Sequence, residues 1–147
     1  MEIEKKFLVK ELPDLSKYKF HIIEQAYLCT EPVVRVRKED DNYYMTYKAK
    51  GFLKREEYNL PLNADSYEHL LNKADGNIIT KKRYLIPYSK YTIELDVFEG
   101  VFNGTIVAEV EFETTEEADN FTPPEWFGED VTYKKEYHNS YMSSVII

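Results

Sequence analysis

The sequence predicts a mainly β domain of the α+β class: an eight-stranded antiparallel β-barrel that forms a charged tunnel, with about three helices packed outside. Three observations predict this class. Apolar and polar residues alternate with a period of two in eight separate runs. Six of these runs place two charges of the same sign on one face. Turn-forming residues separate most successive runs, and about eight hairpin-connected strands can close around a small ligand.

Composition limits the domain organisation and the classes of partner. With 147 residues, 43% of them hydrophobic and 15% aromatic, the chain is predicted to fold as one domain spanning residues 1–147. Its net charge of −8 argues against nucleic-acid and membrane-surface partners, which both need an excess of basic residues. A single cysteine and a charged start without an apolar leader favour a cytoplasmic location. A homodimer is compatible with the sequence but is not required by it.

The first predicted strand covers residues 1–10 and carries Glu2, Glu4 and Lys6 at every second position. Successive side chains of a strand point to opposite faces, so these three share one face, while Ile3 and Phe7 share the other. Two carboxylates and an ammonium group therefore stand in a row on a polar face that has an apolar back.

The next four predicted strands cover residues 19–29, 33–38, 43–50 and 54–60, with turn signals between most of them. Charged residues again recur at every second position. The same-face pairs are Arg35 with Arg37, Lys48 with Lys50, and Arg55 with Glu57. The third and fourth of the eight strands therefore bring two purely cationic pairs together across a hairpin.

Three further strands are predicted at residues 78–86, 91–98 and 106–112. The pairs on their polar faces are Lys81 with Arg83, Glu94 with Asp96, and Glu109 with Glu111. An ordinary solvent-exposed face is expected to mix both charge signs with uncharged polar residues. Sorting into three acidic and three basic pairs therefore favours a functional face over a merely solvated one.

Helical spacing predicts three helices. One covers residues 63–74, with Asn63 or Asp65 as its cap and Gly76 after its end. A capping box formed by Thr114 and Glu117 opens a short second helix that ends near residue 121. The tail from residue 133 to about 145 carries a stripe of aromatic residues, and we expect it to dock against the outside of the sheet.

The charged faces indicate what the tunnel binds. Burying so many charges without partners costs several kcal/mol each, so the lumen is expected to be wet and to hold metal ions together with an anion. Carboxylates suit Mg²⁺ or Mn²⁺, and arginine and lysine neutralise phosphoryl oxygens. Phosphoryl transfer depends mostly on positioning and charge stabilisation, so the pattern favours chemistry on a linear phosphate chain.

The ordered motifs resemble those of the CYTH superfamily, the triphosphate tunnel metalloenzymes, whose hallmark is an N-terminal Glu-x-Glu-x-Lys strand. Here that strand is Glu2-Ile3-Glu4-Lys5-Lys6, and the paired motifs described above follow in the family's order. The resemblance covers the whole chain and implies a small-molecule triphosphate substrate with Mg²⁺ or Mn²⁺ as cofactor. Further motifs at residues 27–30 and 123–128 resemble the family's bacterial inorganic tripolyphosphatases.

The resemblance also implies roles for individual residues. The catalytic pair would be Tyr27 and Lys81, and Lys81 should have a lowered pKa because it stands among other cations. Substrate would be bound by Lys6, Arg35, Arg37, Lys48, Lys50, Arg55 and Arg83. The metal would be bound by Glu2, Glu4, Asp96, Glu109 and Glu111. Supporting roles would fall to Glu57 and Glu94. The chain departs from the family pattern at Asn59, Lys134 and Glu136, and Lys135 could replace the cation missing at position 136.

The leading functional hypothesis is a metal-dependent hydrolase that cleaves inorganic tripolyphosphate to pyrophosphate and phosphate by attack of water. A class IV type adenylyl cyclase could use the same tunnel to convert ATP to cyclic AMP and pyrophosphate. Hydrolysis of thiamine triphosphate or nucleoside triphosphates lies between these two. A non-enzymatic alternative is a polyphosphate-binding module, although a pure anion binder has little need for so many carboxylates.

Overall fold

Antiparallel strands account for most of the chain in the computed structural model, which describes residues 1–146. The strands are β1 (Glu2–Val9), β2 (Phe20–Thr30), β3 (Val33–Glu39), β4 (Asn42–Lys48), β5 (Lys54–Arg55), β6 (Glu57–Leu62), β7 (Asp75–Tyr88), β8 (Tyr91–Glu99), β9 (Ile106–Phe112) and β10 (Phe127–Asp130). The helices are α1 (Ala64–Leu71), α2 (Thr115–Asp119) and α3 (Asn139–Ser144). Two single 3-10 turns lie at Gly100–Phe102 and Lys135–Tyr137.

The strands form one curved sheet in the order β10-β1-β9-β8-β7-β2-β3-β4-β6. The short strand β5 leaves this path and pairs with β1 through Glu2 opposite Arg55 and Ile3 opposite Lys54. Since β5 lies one residue before β6, the far edge of the sheet returns to β1. Within residues 1–146, however, no ladder joins β6 itself to β1. The predicted antiparallel β class with about three helices is confirmed, but the sheet has ten strands and does not close as a continuous barrel.

The apolar backs of the strands pack outward, as the alternation predicts. Ile3 and Phe7 of β1 join Leu95 of β8 and Val110 of β9 in a buried cluster, which Ala118 of α2 covers. The opposite faces of these three strands carry the charged pairs. The main apolar core therefore lies outside the curved sheet and leaves the concave face to polar side chains.

Helix α1 covers another part of the outer surface. Asn63 caps it by accepting a hydrogen bond from the Ser66 backbone N–H at 2.8 Å, and the Ser66 hydroxyl accepts one from the Asn63 N–H. Tyr67 is fully buried, and its hydroxyl donates to Glu24 at 2.7 Å. Within residues 1–146, no helix has the length and apolar character of a membrane span.

The C-terminal tail is expected from its sequence to dock against the outside of the sheet, but helix α3 packs against the concave side. Its Met142 packs in a buried cluster with Ile79, Phe98 and Val107, which lie two residues from Lys81, Asp96 and Glu109 and so share their concave face. Residues of α3 therefore fill one end of the space that the sheet encloses. The aromatic stripe points elsewhere, since Tyr133 and Tyr141 are exposed.

Gly76 does not end α1 but lies in β7, at the contact with α3. Its φ is +74°, and a Cβ atom there would lie 2.1 Å from the carbonyl oxygen of Ser143. Gly76→Ala is therefore expected to destabilise the protein by at least about 2–3 kcal/mol, through backbone strain and displacement of α3. Gly104→Ala is the matched control, because φ is +99° there but no atom lies within 4 Å.

Thermal unfolding of both variants measures this difference. The control is expected to lose about 1 kcal/mol from strain alone. Equal losses in the two variants would show that the approach of α3 to Gly76 contributes nothing to stability.

Candidate functional site

The concave side of the sheet encloses a cavity of about 360 Å³, called here the central cavity. Strands β1 to β9 all contribute to it, because each exposes alternate side chains to the same interior. Seven of its lining residues are acidic: Glu2, Glu4, Glu39, Glu57, Glu94, Glu109 and Glu111. Seven are basic: Lys6, Arg35, Arg37, Lys48, Arg55, Lys81 and Arg83. The two signs are balanced within a space that suits a small ligand.

Two buried cations of β3, Arg35 and Arg37, form one side of the cavity, called here the arginine wall. Arg35 and Arg37 are 6% and 5% exposed. The Arg37 Nε–H donates to Gln25 Oε1 at 2.7 Å, and Arg35 Nη2 donates to Thr46 Oγ1 at 3.0 Å. The buried Nε of Arg35 has no hydrogen-bond partner among the described residues. Burial, with Arg37 beside it, lowers the pKa of Arg35, so this wall would gain from an anionic ligand.

Three carboxylates on the opposite wall form a compact group, called here the carboxylate cluster. Glu4, Glu94 and Glu109 each place one oxygen within 4.8 Å of the others. Pairing of β1 with β9 and of β9 with β8 brings them together, since Glu94 lies opposite Glu109 and Glu4 opposite Glu111. Among residues 1–146, these are the carboxylates grouped closely enough to hold a metal ion.

The pKa values of the three carboxylates in the cluster are shifted in different directions. Burial, together with Glu109, raises the pKa of Glu4 to about 7. Burial also raises the pKa of Glu94, although Arg83 opposes the shift. For Glu109 burial acts in the same direction, but Lys6 and Arg83 outweigh it and hold its pKa well below the usual range. Lys6 Nζ lies 3.1 Å from Glu109 and Arg83 Nη2 lies 2.7 Å from it. A bound cation would relieve the repulsion that Glu4 and Glu94 experience.

A second acidic group lies around Lys48. Its ammonium contacts Glu2 Oε1 at 3.1 Å and Glu57 Oε2 at 3.3 Å. Burial, assisted by Glu4, raises the pKa of Glu2 to about 8. Lys48 thus pairs with Glu2 and Glu57, and an anion in the central cavity would compete with these carboxylates for it.

Lys81 is 1% exposed and lies deep in the central cavity, near the end filled by α3. Its Nζ contacts Asp96 Oδ2 at 2.7 Å and Asn139 Oδ1 at 3.0 Å. Burial lowers the pKa of Lys81 to about 7, with Arg83 assisting and Asp96 opposing the shift. Near neutral pH this amine can therefore accept or donate a proton. Tyr27 lines the same cavity and accepts a hydrogen bond from Gln25 Nε2 at 3.3 Å.

Two of the sixteen residues assigned from sequence lie outside the central cavity. Lys50 follows the end of β4 at Lys48, so the alternation no longer applies; its side chain is 84% exposed and pairs with Glu31. Asp96 is fully buried beneath the cavity, where Arg83 donates to both its oxygens at 2.8 and 3.0 Å. The structure therefore places Glu94, and not Asp96, in the carboxylate cluster, and the metal role assigned to Asp96 stays a prediction.

The remaining fourteen assigned residues all line the central cavity: Glu2, Glu4, Lys6, Tyr27, Arg35, Arg37, Lys48, Arg55, Glu57, Lys81, Arg83, Glu94, Glu109 and Glu111. Two polar residues with no role in the sequence prediction connect them. Gln25 Nε2 donates to Asn139 Oδ1 at 3.1 Å, which joins the Arg37 wall to Lys81. The alternation of Gln25 with Tyr27 could have indicated the first. Asn139 belongs to a Tyr-x-Asn motif at Tyr137 to Asn139, but it lies 58 residues from Lys81, and strand alternation cannot predict that contact.

Comparison with known proteins agrees with this geometry. The CYTH domain family matches residues 1–144. A curated protein from Nitrosomonas europaea, named inorganic triphosphatase, is 38% identical over 143 residues, which cover 94% of this chain and 93% of the relative. Another of the same name from Acetivibrio thermocellus is 34% identical over 144 residues, covering 95% and 90%. The crystal structure of the inorganic triphosphatase NE1496 superposes with a TM-score of 0.74 at 34% identity, over 99% of this chain and 96% of that one.

Proposed function

The chain belongs to the CYTH domain family, and from this premise we propose that it hydrolyses inorganic tripolyphosphate to pyrophosphate and orthophosphate with Mg²⁺ or Mn²⁺. The observation that carries the proposal is the central cavity, which has a volume of about 360 Å³. It is lined by the arginine wall on one side and by the carboxylate cluster on the other. Such a cavity complements a phosphate chain on one side and a divalent cation on the other. Its small volume and almost wholly ionisable lining favour an inorganic chain over a bulkier organic triphosphate.

The residues of the carboxylate cluster fit a hard divalent cation. Glu4, Glu94 and Glu109 offer only oxygen donors, and burial together with the neighbouring carboxylates raises the pKa of Glu4 and of Glu94, so a bound cation would stabilise their ionised forms. When bound, Mg²⁺ or Mn²⁺ supplies charge neutralisation for phosphoryl oxygens and for an attacking water. Glu111 also lines this side of the central cavity and could extend the ligand set.

The arginine wall would hold the phosphate chain. Arg35 and Arg37 are fixed by Thr46 and Gln25, so their guanidinium groups are ordered before a ligand arrives. Preorganised donors stabilise developing negative charge without further rearrangement. Lys6, Lys48 and Arg83 would exchange part of their contact with carboxylates for contact with phosphoryl oxygens as a cation takes up the carboxylate charge.

Lys81 is the proposed general base. With a pKa of about 7, its neutral amine can accept a proton from water near neutral pH. The water oxygen then forms a bond to the terminal phosphorus, the bond from that phosphorus to the bridging oxygen breaks, and pyrophosphate leaves. Tyr27 would orient the water through its hydroxyl. Asn139 and Asp96 would hold the Lys81 side chain in place.

A comparison of substrates tests this function. The protein is incubated with tripolyphosphate, ATP or thiamine triphosphate, in Mg²⁺, Mn²⁺ or chelator, and the products are measured. We expect cleavage of tripolyphosphate at least about tenfold faster than of the organic substrates, and no cleavage with chelator, since the carboxylate charge then remains uncompensated. Formation of cyclic AMP from ATP would replace the proposal with a cyclase, and binding without turnover would replace it with a polyphosphate-binding module.

A further inference from the structure

A second cavity adjoins the central cavity beside α3. It has a volume of about 490 Å³ and lies between the loop that follows β4 and the C-terminal segment. This cavity is called here the side cleft, and the residues that matter for its charge are Glu31, Lys48, Lys50, Arg55 and Lys135. Lys48 and Arg55 line both cavities, so a ligand in the side cleft would lie next to the central cavity.

The charge of the side cleft is opposite to that of the protein. Four cations line it, and Glu31 is the carboxylate among its lining residues, which gives a formal charge of +3 in a chain whose net charge is −8. Glu31 pairs with Lys50 at 3.1 Å. Lys135 lies over the ring of Tyr141, and its ammonium belongs to none of the ion pairs found among the described residues. A local positive field in a negative protein concentrates small anions there.

Another surface depression, which shares Glu94 and Glu111 with the central cavity, carries charge of the opposite sign. The surface next to Glu94 and Glu111 also carries Glu113 and Glu117, with Lys90 as the lysine among its lining side chains. A phosphate chain that approaches from this direction meets predominantly negative charge. The two depressions that share residues with the central cavity therefore differ in the sign of their charge.

Arg55 stands at the junction of the side cleft and the central cavity. Its Nε is buried without a hydrogen-bond partner in the described chain, and the nearest carboxylate oxygen, Glu2 Oε1, is 3.8 Å away. A buried donor left unpaired carries a free-energy cost that an anion in this position would remove. The unpaired donor points to a ligand at the junction independently of the surface charge.

We propose that the side cleft is an anion-binding site that captures inorganic tripolyphosphate from solution and passes it to the central cavity. This inference rests on the proposed function for the identity of the anion. Lys50 and Lys135 would make the first contact, and Arg55 would receive the chain at the junction. Lys135 would thus replace the cation that the sequence lacks at position 136.

The test reverses the charge of the two outer lysines. A variant with Lys50→Glu and Lys135→Glu is compared with a control carrying Lys17→Glu and Lys73→Glu, which alters net charge equally at exposed positions that line neither cavity. Hydrolysis of sodium tripolyphosphate with Mg²⁺ is measured from low to high salt. We expect kcat/KM of the cleft variant to fall about tenfold at low salt, mainly through KM, and the difference to shrink as salt rises. The control is expected to change less than about twofold.

A binding measurement separates this inference from the proposed function. Calorimetric titration with sodium tripolyphosphate in chelator needs no turnover, and the cleft variant is expected to bind several-fold more weakly than the control. Circular dichroism and thermal unfolding establish that both variants are folded, and Lys50→Gln with Lys135→Gln offers a milder change with a smaller loss expected. Equal affinity of the cleft and control variants would overturn the inference even if the wild-type protein hydrolyses tripolyphosphate. Weaker binding without any wild-type hydrolysis would uphold the anion site and overturn the enzymatic proposal.

Discussion

Glu4→Gln is expected to stabilise the metal-free protein and to lower kcat/KM for tripolyphosphate by about 100-fold or more. Both effects have the same origin. Glu4 is held near Glu109 in a partly buried position, where a second carboxylate charge is unfavourable unless a cation compensates it. Gln keeps the size of the side chain and removes the charge, so the cost disappears together with one oxygen ligand. An increase of a few degrees in Tm is expected at pH 8.

The raised pKa of Glu4 determines how the stability of the protein changes with pH. In the folded protein the pKa of Glu4 is raised from 4.5 to about 7, so the native state binds this proton more tightly than the unfolded state does. The protonated Glu4 carboxyl group therefore contributes to the free energy of unfolding at low pH, and this contribution is lost as pH rises from about 4.5 through 7. Thermal unfolding of Glu4→Gln is therefore expected to be less sensitive to pH in this range. Metal affinity of the wild-type protein should rise over the same range, because metal binding must release the proton.

The control for this experiment is Glu125→Gln, an exposed carboxylate outside the central cavity. It is expected to change neither Tm nor kcat/KM measurably. Metal titration followed by Tm completes the comparison, since Mg²⁺ or Mn²⁺ should stabilise the wild-type and control proteins much more than Glu4→Gln. Wild-type activity and metal stabilisation in Glu4→Gln would remove Glu4 from the proposed metal ligands.

Lys81→Arg is expected to lower kcat by between about 10² and 10⁴, with a smaller change in KM. Arginine keeps a positive charge beside Asp96, but it cannot act as a base near neutral pH. In the wild-type protein, kcat should rise with pH through about 7 as Lys81 becomes neutral. The variant is expected to lose this part of the pH profile.

Two further variants make the Lys81 experiment specific. Lys81→Met removes the charge but keeps a side chain of similar length, and Arg83 still compensates Asp96. Lys82→Met changes the neighbouring lysine, which lies on the outer face over the ring of Phe20, and is expected to retain wild-type kinetics. If Lys81→Arg raised only KM and kept the pH profile, Lys81 would bind phosphate and another group would be the base.

Alternation predicts much of the fold and of the cavity lining because the period of two is a local property of each strand. Fourteen of the sixteen assigned residues line the central cavity for this reason. Lys50 lies outside the cavity because β4 ends at Lys48, two residues before the predicted end of the strand. Where a strand ends is decided by tertiary pairing, which alternation does not report. Glu94 and Asp96 share a face and both pair with Arg83, so alternation cannot tell which of them joins the carboxylate cluster and which is fully buried beneath the cavity.

Long-range contacts account for the features that the sequence does not predict. Asn139 reaches Lys81 only because α3 fills one end of the enclosed space, and the aromatic stripe of the tail instead favours docking outside. Gly76 resembles a helix terminator in sequence, whereas the structure uses it for the close approach of Ser143. Both depend on where the C-terminal segment packs, and no local pattern encodes that position.

Strand β1 is synthesised first, but its main partners in the sheet come from the last third of the chain. Apart from the two-residue pairing with β5, its ladder partners are residues 107–112 of β9 and residues 127–130 of β10, so β1 leaves the ribosome long before these two partners are synthesised. During that interval Glu2, Glu4 and Lys6 remain in water, and Ile3 and Phe7 lack their apolar cover. Such a topology favours slow, late closure of the sheet after synthesis. The carboxylate cluster, which joins β1 to β8 and β9, can therefore form only among the final events of folding.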